Sequence, residues 1–108
     1  MDEQKTWERT FDKAIEVVRR GVFDEVKDAL EALDFVFKET KDPNHWLYFH
    51  PLLRRDPYFC YPRNLYRPHG TRRSPDRISR HDQAQAKQMI HALRAVRGFS
   101  QDSGGGDQ

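Results

Sequence analysis

Apolar residues recur at helical spacing over the first third of the chain. Trp7, Phe11, Ala14, Ile15 and Val18 are three or four positions apart and fall on one helical face, with Asp12, Lys13, Glu16 and Arg20 largely on the others. Arg19 and Arg20 suit the negative end of a helix, and Gly21 follows as a left-handed cap. A second stripe starts at once, through Val22, Val26, Leu30, Leu33 and Phe37. Asp24 is its candidate N-cap, and Asp42-Pro43 is its candidate stop, because the residue before a proline avoids helical angles. The pattern predicts a helical hairpin over residues 4–20 and 24–40. One continuous helix through Gly21 competes with it, since a single interior glycine costs only about 1 kcal/mol; the hairpin is favoured.

The periodicity then disappears. Residues 43–74 contain five of the six prolines and seven aromatic residues, with turn signals at Arg55-Asp56-Pro57-Tyr58 and Tyr61-Pro62-Arg63-Asn64. Trp46-Leu47-Tyr48-Phe49 is either a short strand or a buried helical turn. The segment is too long for a bare linker in a small domain, so its aromatic residues are expected to pin it across the helices. A third helix begins at Ser74-Pro75-Asp76, or at the capping pair Ser79 and Asp82. Its apolar stripe is Ile78, Ala86, Met89, Ile90, Leu93 and Val96, with Gly98 as the closing residue. The expected fold is therefore all-α: a helical hairpin plus a C-terminal helix, joined by an irregular Pro/aromatic-rich segment. Residues 1–98 form one small helical domain, and 99–108, with Gly104-Gly105-Gly106, form a flexible tail.

Composition adds bounds. A chain of 108 residues has room for one core, and 36% hydrophobic against 33% charged residues makes that core small. The single Cys60 cannot form an internal disulfide. The beginning of the chain lacks a basic-then-apolar leader, and no apolar run approaches the roughly 20 residues of a membrane span. A cytoplasmic protein without membrane partners is the expectation.

Charge changes the picture more. Residues 1–42 carry 8 Lys/Arg and 12 Asp/Glu, net −4, whereas residues 43–98 carry 11 Lys/Arg and 3 Asp/Glu, net +8. Ten of those 11 basic residues are arginine. The expected binding surface is Arg54, Arg55, Tyr58, Arg63, Tyr66, Arg67, Arg72, Arg73, Arg77 and Arg80. Arginine gives bidentate contacts to carboxylate and phosphate, and exposed rings stack on bases or anchor a protein partner. The competing reading is internal neutralisation, in which the acidic hairpin consumes this charge.

The function expected from these residues is that of a small accessory protein: a non-enzymatic adaptor or regulator that binds an acidic macromolecule. An acidic protein surface is favoured over nucleic acid, because no zinc-finger spacing, RNA-binding signature or helix-turn-helix is present. Phe23, Phe35 and Val36 beside the main stripe suggest a second apolar face, and with it a homodimer through the N-terminal hairpin. An enzyme built on Cys60 and a histidine is the weakest alternative, because Phe59 and Tyr61 suggest a buried, inert thiol. No cofactor motif is present. His45, His50, Cys60 and His69 are spaced like no standard zinc site, so no metal is expected.

Overall fold

The computed structural model describes residues 2–68 and 76–105, with side chains described for 6–68 and 76–98. Helix α1 spans Asp2–Arg20 and α2 spans Phe23–Ala32; strands β1 (Val36–Glu39), β2 (His45–Phe49) and β3 (Arg63–Tyr66) follow, and α3 spans Arg80–Gly105. A single turn of 3-10 helix, Pro51–Leu53, lies between β2 and β3. The strands form one antiparallel sheet in the order β1-β2-β3. The all-α expectation is thus overturned: the protein is α+β.

The hairpin of helices is present, and Gly21 is its hinge. Its φ of 74° places it in the left-handed region, where an L side chain is strained. The second helix, however, ends at Ala32 rather than near residue 40. Asp34 adopts a φ of 72°, its N–H donates to Glu31 O (2.9 Å), and Phe35 N–H donates to Leu30 O (3.1 Å). This pair of bonds is a Schellman closure with aspartate in the place that glycine usually takes. Phe35 and Leu30 are both buried beside it and supply the apolar contact that accompanies such a closure. The chain leaves in an extended direction, so Phe37 continues the stripe from a strand. Asp24 is not the N-cap either; Val22 holds that position and no side chain caps α2.

Beyond α2 the supposed irregular segment is mostly sheet. Asp42-Pro43 marks a hairpin turn, in which Asn44 N–H donates to Asp42 Oδ1 (2.8 Å) and Thr40 Oγ1 donates to His45 O (2.9 Å). Trp46-Leu47-Tyr48-Phe49 is a strand. By alternation and register, Phe37, Trp46, Tyr48, Arg63 and Leu65 share the inner face, with Val36, Leu47, Phe49, Asn64 and Tyr66 on the outer face. Lys27 of α2 lies over the inner-face rings of Phe37 (5.0 Å) and Trp46 (4.9 Å).

The third helix starts later than its proline suggests. Ser74 and Pro75 lie outside the described residues, but Asp76–Ser79 are not helical. They run beside the α1–α2 turn, where Phe23 N–H donates to Asp76 O and Ile78 N–H donates to Gly21 O, both at 2.8 Å. Ser79 is the working cap: its Oγ accepts from Asp82 N–H at 3.1 Å. Gly98 does not close α3, which continues past it. The stripe Ile78, Ala86, Met89, Ile90 and Leu93 is buried against Phe11, Ala14, Val18, Val26, Leu30 and Leu33 as expected, and Trp7, Ile15 and Val96 pack at its border.

His50 is buried and pinned between two backbone groups. Its Nδ1 accepts from Leu52 N–H (3.0 Å), so its Nε2–H donates to Leu33 O (2.8 Å) at the end of α2. Burial lowers its pKa, partly opposed by the Leu33 carbonyl and the Asp34 carboxylate. The unfolded chain therefore takes up a proton that the folded chain refuses, and stability falls as pH drops through the ordinary imidazole value of about 6.5. Urea denaturation at about pH 7.5 and about pH 5.5 should show the loss in the parent protein, and His50→Gln should flatten the dependence. The strain at Asp34 gives a second prediction. Asp34→Gly should raise the unfolding free energy by about 0.5–1 kcal/mol, and Asp34→Val should lower it by about 1 kcal/mol or more, read from urea midpoints.

Candidate functional site

Asp56 organises the loop that leads into β3. Its Oδ1 accepts from the N–H groups of Tyr58 (2.8 Å) and Phe59 (2.9 Å), which folds the chain into a tight turn after the 3-10 helix. The turn places Tyr58 and Phe59 opposite the first two turns of α3. Between them lies a cleft of ≈ 410 Å³ lined by Tyr58, Phe59, Arg63, His81, Ala84, Gln85 and Gln88. The α3 members follow helical spacing on the side away from the buried stripe.

Arg63 is the centre of this cleft. It enters from the inner face of β3, and its guanidinium lies over the rings of Phe59 (5.2 Å) and Tyr61 (4.9 Å). No carboxylate pairs with it among the described residues. Two aromatic faces hold the group in position while leaving its charge open to a ligand. Tyr58 is 70% exposed and Tyr61 55% exposed, so both present ring surface to solvent beside the arginine.

Two buried polar residues lie near the cleft: Asp82 follows His81 on α3, and Tyr48 pairs with Arg63 in the sheet. Asp82, 3% exposed, accepts the Tyr66 N–H through Oδ2 at 3.0 Å. Tyr48 is fully buried, and its hydroxyl has no hydrogen-bond partner among the described residues. Burial raises the Tyr48 pKa, the nearby Asp82 charge raises it further, and the Arg63 charge opposes both. The phenol therefore stays protonated.

The residues expected to form one arginine–aromatic surface divide into several places. Tyr58 and Arg63 meet in the cleft. Arg54 and Arg55 are exposed on the same connecting segment, and Arg80 is exposed beside His81 at the rim. Tyr66 lies on the opposite face of the sheet, stacked on His45 at 4.3 Å. Arg67 is neutralised: it pairs with Asp24 (2.8 Å) and Asp76 (3.9 Å) and covers Phe23. Arg77 is exposed beside the α1–α2 turn. Arg72, Arg73 and His69 lie outside the described residues. Among the described residues the acidic hairpin thus consumes one named arginine, Arg67, besides Arg94, which pairs with Asp12 at 3.4 Å. Arg54, Arg55, Arg63, Arg77 and Arg80 make no ion pair among the described residues.

Other expectations need correction. Cys60 is exposed, not buried. Phe23 and Phe35 belong to the core, so with Val36 they do not form a second apolar face on the hairpin. Among the described residues no group of three or more His, Cys, Asp and Glu is placed to hold a metal ion, and no helix is long and apolar enough to cross a membrane. Sequence reasoning missed His81, Ala84, Gln85 and Gln88. Their signal was a second, polar face on α3, which became meaningful once β3 was known to lie against it.

No family model matches the chain, and no curated protein or solved structure compared with it matches either. Its function must be argued from the cleft.

The unpartnered phenol makes a direct prediction. Tyr48→Phe should leave stability unchanged or raise it by up to about 1 kcal/mol, because it removes a buried hydroxyl that gains no protein partner. A loss above about 1 kcal/mol in urea denaturation would instead reveal a hydrogen-bonded hydroxyl.

Proposed function

We propose that this protein is a non-enzymatic adaptor or regulator whose cleft between the 54–63 segment and α3 receives an acidic segment of a protein partner. Arg63 contacts a carboxylate of that segment, Tyr58 packs against its backbone or an apolar side chain, and Arg54, Arg55 and Arg80 add a basic margin. The supporting observation is the state of Arg63: two rings hold it at 5.2 and 4.9 Å, no acid pairs with it among the described residues, and the other cleft residues carry no negative charge. A charge-assisted contact made in a concave, half-desolvated site contributes more than the same contact on open surface. The lone, reduced Cys60 is consistent with action in the cytoplasm.

Nucleic acid is the second reading, favoured by the exposed Tyr58 and Tyr61 rings beside arginine. A single central arginine suits a peptide carboxylate better than a phosphate track, and Arg67 is withdrawn from any such track by Asp24. The two readings separate by salt dependence, because several phosphate contacts give a steep loss of affinity with added salt.

A labelled peptide of alternating Glu and Leu and a single-stranded DNA oligomer are the probes, titrated by fluorescence anisotropy at about 50 mM and about 300 mM salt. The peptide should bind. Arg63→Ala and Tyr58→Ala should each weaken it by about tenfold, a loss of about 1.4 kcal/mol, and Arg77→Ala should leave it unchanged. Tighter and steeply salt-dependent binding of the DNA would overturn the protein-partner reading in favour of nucleic acid. Equal peptide binding by the Arg63→Ala variant would remove the cleft from either account.

A further inference from the structure

Between α1 and α2 lies a larger groove of ≈ 560 Å³. Its floor is apolar, formed by Ala14, Val17 and Ala29, and its two rims carry opposite charge. The charged groove residues of α1 are Arg9, Lys13 and Arg20, all basic; those of α2 are Glu25 and Asp28, both acidic. Helical spacing sorts them this way. Positions 9, 13 and 20 share one side of α1; Glu16, three residues after Lys13, borders that side but does not line the groove, and the acidic Asp12 points elsewhere and pairs with Arg94. Only Arg20 and Glu25, at the closed end by the hinge, lie close enough to pair, at 3.6 Å. Arg9, Lys13 and Asp28 make no ion pair among the described residues.

We propose that this groove is a self-complementary interface that takes a second copy of the same chain. A surface with one basic and one acidic rim is complementary to itself under a twofold rotation. The charges also select the axis. A twofold running along the groove lays α1 of one copy over α2 of the other, so that Lys13 and Arg20 meet Asp28 and Glu25. A twofold across the groove would lay α1 on α1 and α2 on α2, basic on basic and acidic on acidic. The first arrangement is the one adopted, and it gives a four-helix layer. The small floor residues let the two helical pairs approach closely. The groove shares no lining residue with the Arg63 cleft, which the arrangement leaves free in each copy.

Sedimentation analysis of the full chain from about 10 µM to about 1 mM tests the assignment. A monomer–dimer equilibrium that weakens with added salt is expected. Lys13→Glu should raise the dimer dissociation constant by about tenfold or more, since the rotation introduces the change twice. Asp28→Lys should act alike, and the double variant Lys13→Glu/Asp28→Lys should recover dimerisation, which a misfolded chain would not do. Ala32→Arg, on the exposed edge of the groove, should also weaken the dimer. A monomer throughout the range would overturn the proposal. So would a dimer indifferent to Lys13→Glu and Ala32→Arg, which would place the contact elsewhere, such as the outer face of the sheet.

Discussion

The carbonyl groups left over at the ends of α1 and α2 are the constraint on which the rest of the fold depends. A helix ends with backbone acceptors that have no partner within it, and those facing a core cannot be left to water. At the end of α1, Gln83 Nε2 from α3 donates to Val18 O (2.8 Å) and Arg19 O (2.6 Å), and the extended residues before α3 bind the hinge backbone at Gly21 and Phe23. At the end of α2, Asp34 and Phe35 close two carbonyls and the buried His50 takes the Leu33 oxygen. Each closure brings in a distant piece of chain. The first fixes where α3 begins and how it lies on α1. The second fixes the direction of β1 and the height of β2, because His50 follows β2 directly. The sheet register and the Arg63 cleft follow from these two junctions.

Charge is used in the same economical way. The split between an acidic first part and an arginine-rich second part resolves into two uses. Some arginines serve the fold: Arg67 ties β3 to α2 through Asp24, and Arg97 covers Trp7 at 3.6 Å. The Arg67 pair is exposed, so its geometric role outweighs its contribution to stability, which is at most about 1 kcal/mol for such pairs. Arg63 is treated differently. It is held by rings instead of an acid, which orders its long side chain without cancelling its charge.

The sequence made the core legible and left the sheet hidden, for physical reasons. The three apolar stripes come from the 3.6-residue period, and residues such as Phe11, Leu30 and Ile90 are buried as that period requires. The end of α2 was invisible because Leu33 and Phe37 keep helical spacing across the break. The break itself rests on an aspartate in a left-handed conformation, which sequence marks far less clearly than glycine does. Alternation in β2 was masked because both faces of the strand carry large apolar residues, Trp46 and Tyr48 inward and Leu47 and Phe49 outward. Of the two candidate starts of α3, the Ser79–Asp82 one holds, because Asp76 and Ile78 are kept extended by pairing with Phe23 and Gly21, partners far away in the chain. The candidate cleft was legible only in part. Tyr58 and Arg63 could be named from type and neighbours, but their separation from Tyr66 depends on strand alternation, and the contribution of His81 and Gln85 depends on where α3 lies.

The buried Asp82 belongs to the fold and does not line the cleft. Its carboxylate is committed to the Tyr66 N–H, and its field reaches the Tyr48 hydroxyl, where it is opposed by that of Arg63. A ligand carboxylate would meet an arginine that no acid pairs with among the described residues. Its gain would come chiefly from the directed N–H groups of the guanidinium and from contact with Tyr58 and Phe59, and less from net attraction over distance. That balance favours a partner recognised by shape and hydrogen bonding at close range. It also accounts for arginine at this position: a lysine ammonium could stack on the rings less well and would present its charge without a fixed direction.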